Sequence, residues 1–331
     1  FDVVYFSEKE KTVQPQIEAL GGRVYKINPP SAKGILKHEM SRFFAAHKNE
    51  WEALHIHAPH FAVFISPQAK KAGIKKICCH CHTTWYSLFP KNEFRNRLLA
   101  APVKCLAGTR FACGTDAGKF WFKDNFYVLA NAVDCAAFRF DEKRREKARQ
   151  SLGFGDCLVC GNVGRLYPPQ KNHPFILKIF AEVKKQRSDA KLLLVGAEEE
   201  PSLLSLAKKL EIEKDVLFLG QRRDVADLLF AMDVFLFPSL REGLPVAAIE
   251  AQASGLPVLM ASTITREALV APNAKMLSLE ASPREWANAA ASAALEARKD
   301  NYDIMKAAGW DIKERAARLA EYYRTGVFRD F

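Results

Sequence analysis

The stretch SLREGLPVAAIEA, residues 239–251, decides how the rest of the chain is read. It carries two carboxylates, Glu242 and Glu250, on either side of a Gly-Leu-Pro turn, directly after the apolar run Val234-Phe235-Leu236-Phe237-Pro238. A short apolar run bounded by turn residues predicts a buried strand, and Pro245 suits the first turn of a helix, where its missing N–H is harmless. Glu242 then sits at the C-terminal end of a strand. Glu250 lies about five residues into the following helix, ~7.5 Å along it, and looks back towards the same space. The amides after Gly243 fall near a helix N-terminus, a natural anion site. The arrangement supplies two acceptors for sugar-type hydroxyls beside a cradle for phosphate.

Working outward, the same strand-then-helix rhythm recurs. Strands are predicted at Leu158–Val163, Lys191–Val195, Val216–Leu219, Val234–Phe237 and Pro257–Met260, with helices at His173–Gln186, Ser202–Leu210, Val225–Met232 and Val246–Ser254. Before them, strands are predicted at Phe1–Phe6, Arg23–Ile27, Ala53–Ile56, Lys76–Cys79, Phe111–Cys113 and Phe126–Leu129, with helices at Gly34–His47 and Ala62–Ala72. Gly21-Gly22 reads as a helix stop. Alternation of this kind predicts parallel sheets covered by helices. The charged stretch Phe138–Gln150, containing DEKRREKARQ, reads as a boundary helix or linker. The expected organisation is an N-terminal domain over residues 1–150, a second domain over 151–308, and a tail over 309–331 with a helical pattern at Ile312–Tyr323. Two α/β units in series imply a cleft beyond the carboxyl ends of their strands.

Composition narrows the class. The 331 residues are 49% apolar, enough for two cores, and no apolar stretch is long enough to span a bilayer. The net charge of +11 is unevenly spread: residues 1–150 hold 25 Lys and Arg against 14 Asp and Glu, whereas the remainder balances at 24 and 24. A basic N-terminal half suits an anionic partner, with nucleic acid or an anionic membrane as candidates and a solvated basic surface as the plain alternative. Eight cysteines in apolar surroundings of a large chain need no disulfide framework, so a reducing cytoplasm is expected.

The stretch Arg241–Ala251, followed by Ala253-Ser254-Gly255-Leu256-Pro257-Val258, resembles the Glu-(seven residues)-Glu signature of retaining glycosyltransferases of family 4. The segment Gly161-Asn162-Val163-Gly164-Arg165-Leu166-Tyr167-Pro168-Pro169-Gln170-Lys171-Asn172-His173 is a second match. Cys81-His82-Thr83-Thr84, Ala130-Asn131-Ala132-Val133-Asp134 and Gly309-Trp310-Asp311-Ile312 are weaker ones. The resemblance spans almost the whole chain, and through Gln170-Lys171-Asn172-His173 and Trp310-Asp311-Ile312 it extends to bacterial exopolysaccharide and capsule enzymes. It implies a GT-B fold of two Rossmann-like domains facing a cleft, with the C-terminal helix crossing back to the N-terminal domain.

The resemblance also implies roles. Arg165 and Lys171 would grip the donor diphosphate, Gly243, Leu244 and Pro245 would bound its cradle, Glu250 would hold the ribose and Glu242 the transferred sugar. His82 would face the donor sugar, the alternative being a buried, hydrogen-bonded ring at 80 or 82. Arg222 and Arg223 lie where the nucleotide base would pack, or in a solvated loop. Two carboxylates alone would equally suit glycoside hydrolysis, but the Arg165/Lys171 pair argues for an anionic leaving group. No metal or other cofactor is expected. Among the family's usual features, a first strand with its Gly-rich loop is not found before Phe1, and a start missing from the sequence is the simpler explanation.

Other residues carry weaker signals. His57 and His60, in Leu54-His55-Ile56-His57-Ala58-Pro59-His60, are candidates for acceptor contact or for ordinary strand-end packing. Cys78, Cys79 and Cys81 interleave with His80 and His82, but zinc ligands are expected from loop spacing, so no metal site is expected there. Lys91–Leu99 combines cations with Phe94 and Leu98 at helical spacing and suits either lipid headgroups or a core cap. Phe120-Trp121-Phe122 reads as core, with no nucleic-acid binding expected. The function expected is transfer of a sugar from a nucleoside-diphosphate donor, UDP favoured and GDP possible, to a glycan or lipid-linked acceptor, in the cytoplasm or at the inner face of the membrane. A nucleotide-sugar epimerase and a catalytically silent scaffold are the alternatives.

Overall fold

The structure, a computed structural model, describes residues 1–6, 13–28, 39–166 and 169–329. The chain forms two compact units. The first comprises Phe1–Cys81, Trp85–Phe111 and Trp121–Tyr127, and the second His82–Thr84, Ala112–Phe120 and Val128–Phe331.

In the first unit, strands β1 (Val3–Tyr5) and β2 (Val24–Lys26) pair in parallel. Strands β3 (Ala53–Ile56), β4 (Lys76–Cys81), β5 (Thr109–Ala112) and β6 (Tyr127–Val128) form a sheet in that order. The predicted helix stop is real: after the helix Gln14–Ala19, Gly21 takes φ +81°, and the Gly22 amide donates to the Ile17 carbonyl. The helix expected over Gly34–His47 is described from Glu39 to Ala46, and its predicted beginning lies outside the described residues. Strand β4 runs two residues further than the apolar pattern suggested, taking in His80 and Cys81, both buried. Polarity at His80 had concealed a strand position that pairing enforces. The helix Pro90–Ala100 leaves Phe94 71% and Leu98 58% exposed, while Asn96 and Ala100 face inward.

The second unit is built on a six-stranded parallel sheet. Its strands are β7 (Val159–Val163), β8 (Lys191–Val195), β9 (Val216–Phe218), β10 (Val234–Phe237), β11 (Val258–Ala261) and β12 (Ala274–Leu277). They lie in the order β12-β11-β10-β7-β8-β9, so the winding reverses between β7 and β10. The region outside the carboxyl ends of those two strands is where open parallel sheets bind ligands. Strand residues such as Leu192, Leu193, Phe235 and Phe237 are wholly buried, as expected of a sheet covered on both faces. Helices His173–Gln186 and Pro283–Ala293 pack together, with Phe175 edge-on to the buried Trp286 at 5.9 Å.

The charged stretch is a helix, Glu142–Ser151, and it is firmly held by the second unit. Arg145 and Arg149 pair with Asp233 at 2.6 and 3.2 Å and also donate to the carbonyls of Phe230 and Ala231. Strand β12 and the helices Pro283–Ala293 and Tyr302–Ala307 were not predicted. Ala-Lys-Met-Leu has no alternation, although the capping box formed by Ser282 and Glu285 is a legible helix start. The tail helix extends over Ile312–Thr325, and just before it Val133 bridges Asp311. No helix among the described residues is long and apolar enough to cross a membrane.

Candidate functional site

Two loops build the site, one after β7 and one after β10. A 3-10 turn, Pro169–Lys171, leads to Asn172, whose φ of +59° suits an Asn and starts the helix His173–Gln186. The Asn172 side chain donates to the Pro238 carbonyl at 3.1 Å, and the Leu240 amide donates to the Gln170 carbonyl at 2.8 Å. These bonds stitch the loops together across the switch point of the sheet. Thr263, after β11, donates to the Ser239 carbonyl at 2.9 Å and steadies the β10 loop from its other side.

Between the loops, the Lys171 ammonium lies 2.8 Å from the Glu242 carboxylate. It also lies 4.5 Å from the centre of the Phe237 ring. Both side chains of the pair are largely buried, so the charges interact through little solvent. Gly164 makes room for the stem of Lys171, because a Cβ there would press on three of its methylenes at 3.0–3.1 Å. His173, two residues on, is buried, and desolvation together with the nearby Lys171 charge drives its pKa down to about 4.

The Gly243-Leu244-Pro245 turn is tight for a physical reason. A Cβ at Gly243 would collide with the carbonyl oxygen of His82, so the His82–Thr83 backbone passes directly against it. The His82 ring in turn lies within hydrogen-bonding distance of the Asn131 side chain, Nδ1 to Oδ1 at 3.1 Å. Two segments matched only weakly in the sequence thus meet at the Glu242 loop. Asn131 was quoted within one of them without being singled out.

The helix after the turn starts at Val246, so Pro245 stands one position earlier than predicted, with φ −82° and ψ 90°, outside the helical region. Its carbonyl accepts from the amides of Ala248 and Ile249. The Leu244 side chain is buried, which leaves its backbone as the part able to face a ligand. Glu250 is half-buried, and none of the described residues hydrogen-bonds its carboxyl. Desolvation pushes its pKa up to about 7.

The remaining candidates each have surroundings of their own. Arg165 is exposed in the β7 loop and makes no ion pair with a described residue. Arg222 is held by Asp224, with N–H donors at 2.8 and 2.6 Å, in an exposed chelate after β9. In the first unit His57 is exposed just past β3, and His60 lies on the turn Pro59–Phe61. Burial, assisted by the charge of Arg95, lowers the His60 pKa to about 4. All eight cysteines are free thiols, most of them buried, and desolvation raises Cys79 and Cys113 to about 12.

A switch point of an open parallel sheet is where such folds bind ligands, and here its loops present a cation, a carboxylate and a helix start. Comparison with known proteins gives the class a family. The model described as Glycosyl transferases group 1 matches residues 158–295. The chain is 30% identical over 357 residues to EpsF of Bacillus subtilis (strain 168), a protein named only provisionally as a glycosyltransferase, covering 100% of this chain and 90% of that one. It is 28% identical over 257 residues to the UDP-Gal:alpha-D-GlcNAc-diphosphoundecaprenol alpha-1,3-galactosyltransferase of Escherichia coli, covering 71% of this chain and 64% of that one. Among solved structures, Anabaena Alr3699/HepE in complex with UDP matches with a TM-score of 0.81 at 19% identity, over 98% of this chain and 92% of that one. The chain belongs to the group 1 glycosyltransferases, and its fold is of the GT-B class.

Proposed function

We propose that this glycosyltransferase is a retaining, family 4-type enzyme that moves a sugar from a nucleoside-diphosphate donor to a glycan or lipid-linked acceptor of a surface polysaccharide. The observation that carries the reading is the Lys171–Glu242 pair at the switch point of the six-stranded sheet. In the reaction the bond between the anomeric carbon and the donor phosphate breaks while the acceptor oxygen bonds that carbon on the same face. The acceptor's proton passes to the departing phosphate oxygen. Negative charge therefore grows on the diphosphate, and Lys171 and Arg165, with the amides at the start of the helix Val246–Ala253, are the groups that would meet it without a metal. A diphosphate drawn to Lys171 competes with Glu242 for the ammonium and releases that carboxylate to accept from the sugar hydroxyls. Glu250 would accept from the ribose.

UDP is favoured because the Escherichia coli relative is named for UDP-Gal and the HepE structures contain UDP or UDP-glucose. A relative from Corynebacterium glutamicum is named GDP-mannose-dependent, which keeps GDP as the alternative. The lipid-linked acceptor in the name of the Escherichia coli relative supports a similar acceptor here. We place the enzyme in the cytoplasm at the inner face of the membrane, with exposed Phe94 and Leu98 beside Lys91 and Arg97 meeting anionic headgroups.

The test is acceptor-dependent release of nucleoside diphosphate, with the anomeric configuration of the product read by NMR. Release that needs acceptor, with the donor's configuration kept, supports the reading. Release or rearrangement without acceptor would point to an epimerase, and inversion would overturn the retaining mechanism. Co-sedimentation with phosphatidylglycerol vesicles, reduced by Phe94→Glu, tests the membrane contact.

A further inference from the structure

The first unit holds a second concentration of chemistry, which the donor chemistry proposed above does not draw on. Alternate residues of a strand share a face, so His55 in β3 and His57 just beyond its end project together. Their rings stack at 4.4 Å with planes 7° apart. Strand β4 lies parallel to β3 with His55 opposite Cys78 and Ile56 opposite Cys79, and one further step along this register brings His80 beside His57. The His80 ring lies 5.3 Å from that of His55 and 5.6 Å from that of His57.

We propose that His55, His57 and His80 form a binding site for a divalent transition-metal ion, with zinc the best match. One ring nitrogen from each residue lies within 4.8 Å of the other two. Tetrahedral zinc with nitrogens at about 2.0–2.1 Å separates its ligands by about 3.3 Å, so the cluster closes around an ion through a contraction of roughly 1.5 Å. Side-chain rotation supplies such a movement without displacing the strands. Imidazole donors favour zinc, copper, nickel or iron over magnesium and calcium, which prefer oxygen. His80 is buried, and Phe111 lies 5.7 Å from the His55 ring and 6.1 Å from that of His80, lining the inner side. His57 is exposed, which gives an ion its way in and leaves coordination positions for water or an anionic group. His60 is not part of the cluster, and its ring sits against Phe61 at 4.3 Å. The sequence reading weighed zinc on Cys78, Cys79 and Cys81 with His80 and His82, a different set; His55, His57 and His80 are brought together by strand register and not by spacing along the chain.

The experiment is titration of the full chain, stripped with EDTA, with cobalt(II) followed by its visible absorption and by competition with zinc. The expected result is saturation at one equivalent, with bands of four- or five-coordinate cobalt on nitrogen donors, and displacement by zinc. Both His57→Gln and His55→Gln should weaken binding at least tenfold. At the same zinc concentration the melting temperature, measured against each protein's own value in EDTA, should rise more for the parent chain than for His57→Gln. Absence of a saturable cobalt spectrum would overturn the proposal. So would an unchanged affinity in both variants, which would put the ion on other residues.

Discussion

The loops after β7 and β10 and the paired strands β3 and β4 both gather polar side chains, but they do so by different means. At the loops, Lys171 and Glu242 come from residues beyond the ends of buried strands, where backbone turns aim them at each other. On the strands, His55 and His80 occupy positions inside the sheet and meet because the register sets them on one face. The first arrangement can be rebuilt residue by residue around a ligand without disturbing the sheet. The second is tied to the fold, and its chemistry is limited to what can enter beside rings already packed.

Glu242→Ala tests the loop half of this contrast most severely. It should lower acceptor-dependent transfer by about 10²–10³-fold, the scale of losing one group aimed at the reacting centre. Calorimetric affinity for the nucleoside diphosphate should be kept or raised, since the variant leaves Lys171 in place and removes the carboxylate that competes for it. Unchanged turnover would remove Glu242 from the reaction. Gly243→Ala comes next, because the new methyl meets the His82 backbone and the loop must move. A loss of about 1–3 kcal/mol in stability is expected, with a lower melting temperature and a clear fall in transfer.

Glu250 supplies a pH test of smaller amplitude. If its carboxylate accepts from the ribose, donor affinity should rise by up to about tenfold per unit as pH climbs towards 7 and then level off. Glu250→Gln should flatten that profile, and a parent profile already flat would remove the residue from the donor site. Stability runs the other way. The folded pKa, about 7, lies above the ordinary 4.5, so the acid's contribution is fully present below pH 4.5 and is lost as pH rises through about 7. The melting temperature of Glu250→Gln relative to the parent should therefore increase across that window. Arg222→Ala should have the smallest effect, within about threefold on nucleotide affinity, because its guanidinium is exposed and already engaged by Asp224.

The contrast also explains what could be read from the sequence. The second unit was legible because its strands are continuous apolar runs: Lys191–Val195, Val234–Phe237 and the helix His173–Gln186 fall where predicted. Glu242 and Lys171 were legible as candidates because each sits in a motif of contiguous residues. Their direct contact was not, since it depends on which strands become neighbours, and β7 and β10 are 71 positions apart between Val163 and Val234. Strand β4 was cut short because His80 and Cys81 broke the expected pattern, and with that the grouping of His80 with His55 and His57 was lost. Register between strands leaves no local mark in either of them. The edge strand β12 was missed for a related reason, being four residues with no alternation.

The most direct measurement is calorimetric binding of UDP, GDP and ADP, without added metal, to the parent chain and to Lys171→Ala. The account predicts one nucleotide selected over the others, UDP first, and roughly 10- to 100-fold weaker binding in the variant, the scale of losing a charge-assisted hydrogen bond. Equal affinity of parent and variant for that nucleotide, or no binding of any of the three, would contradict the assignment of the Lys171–Glu242 loops as the donor site.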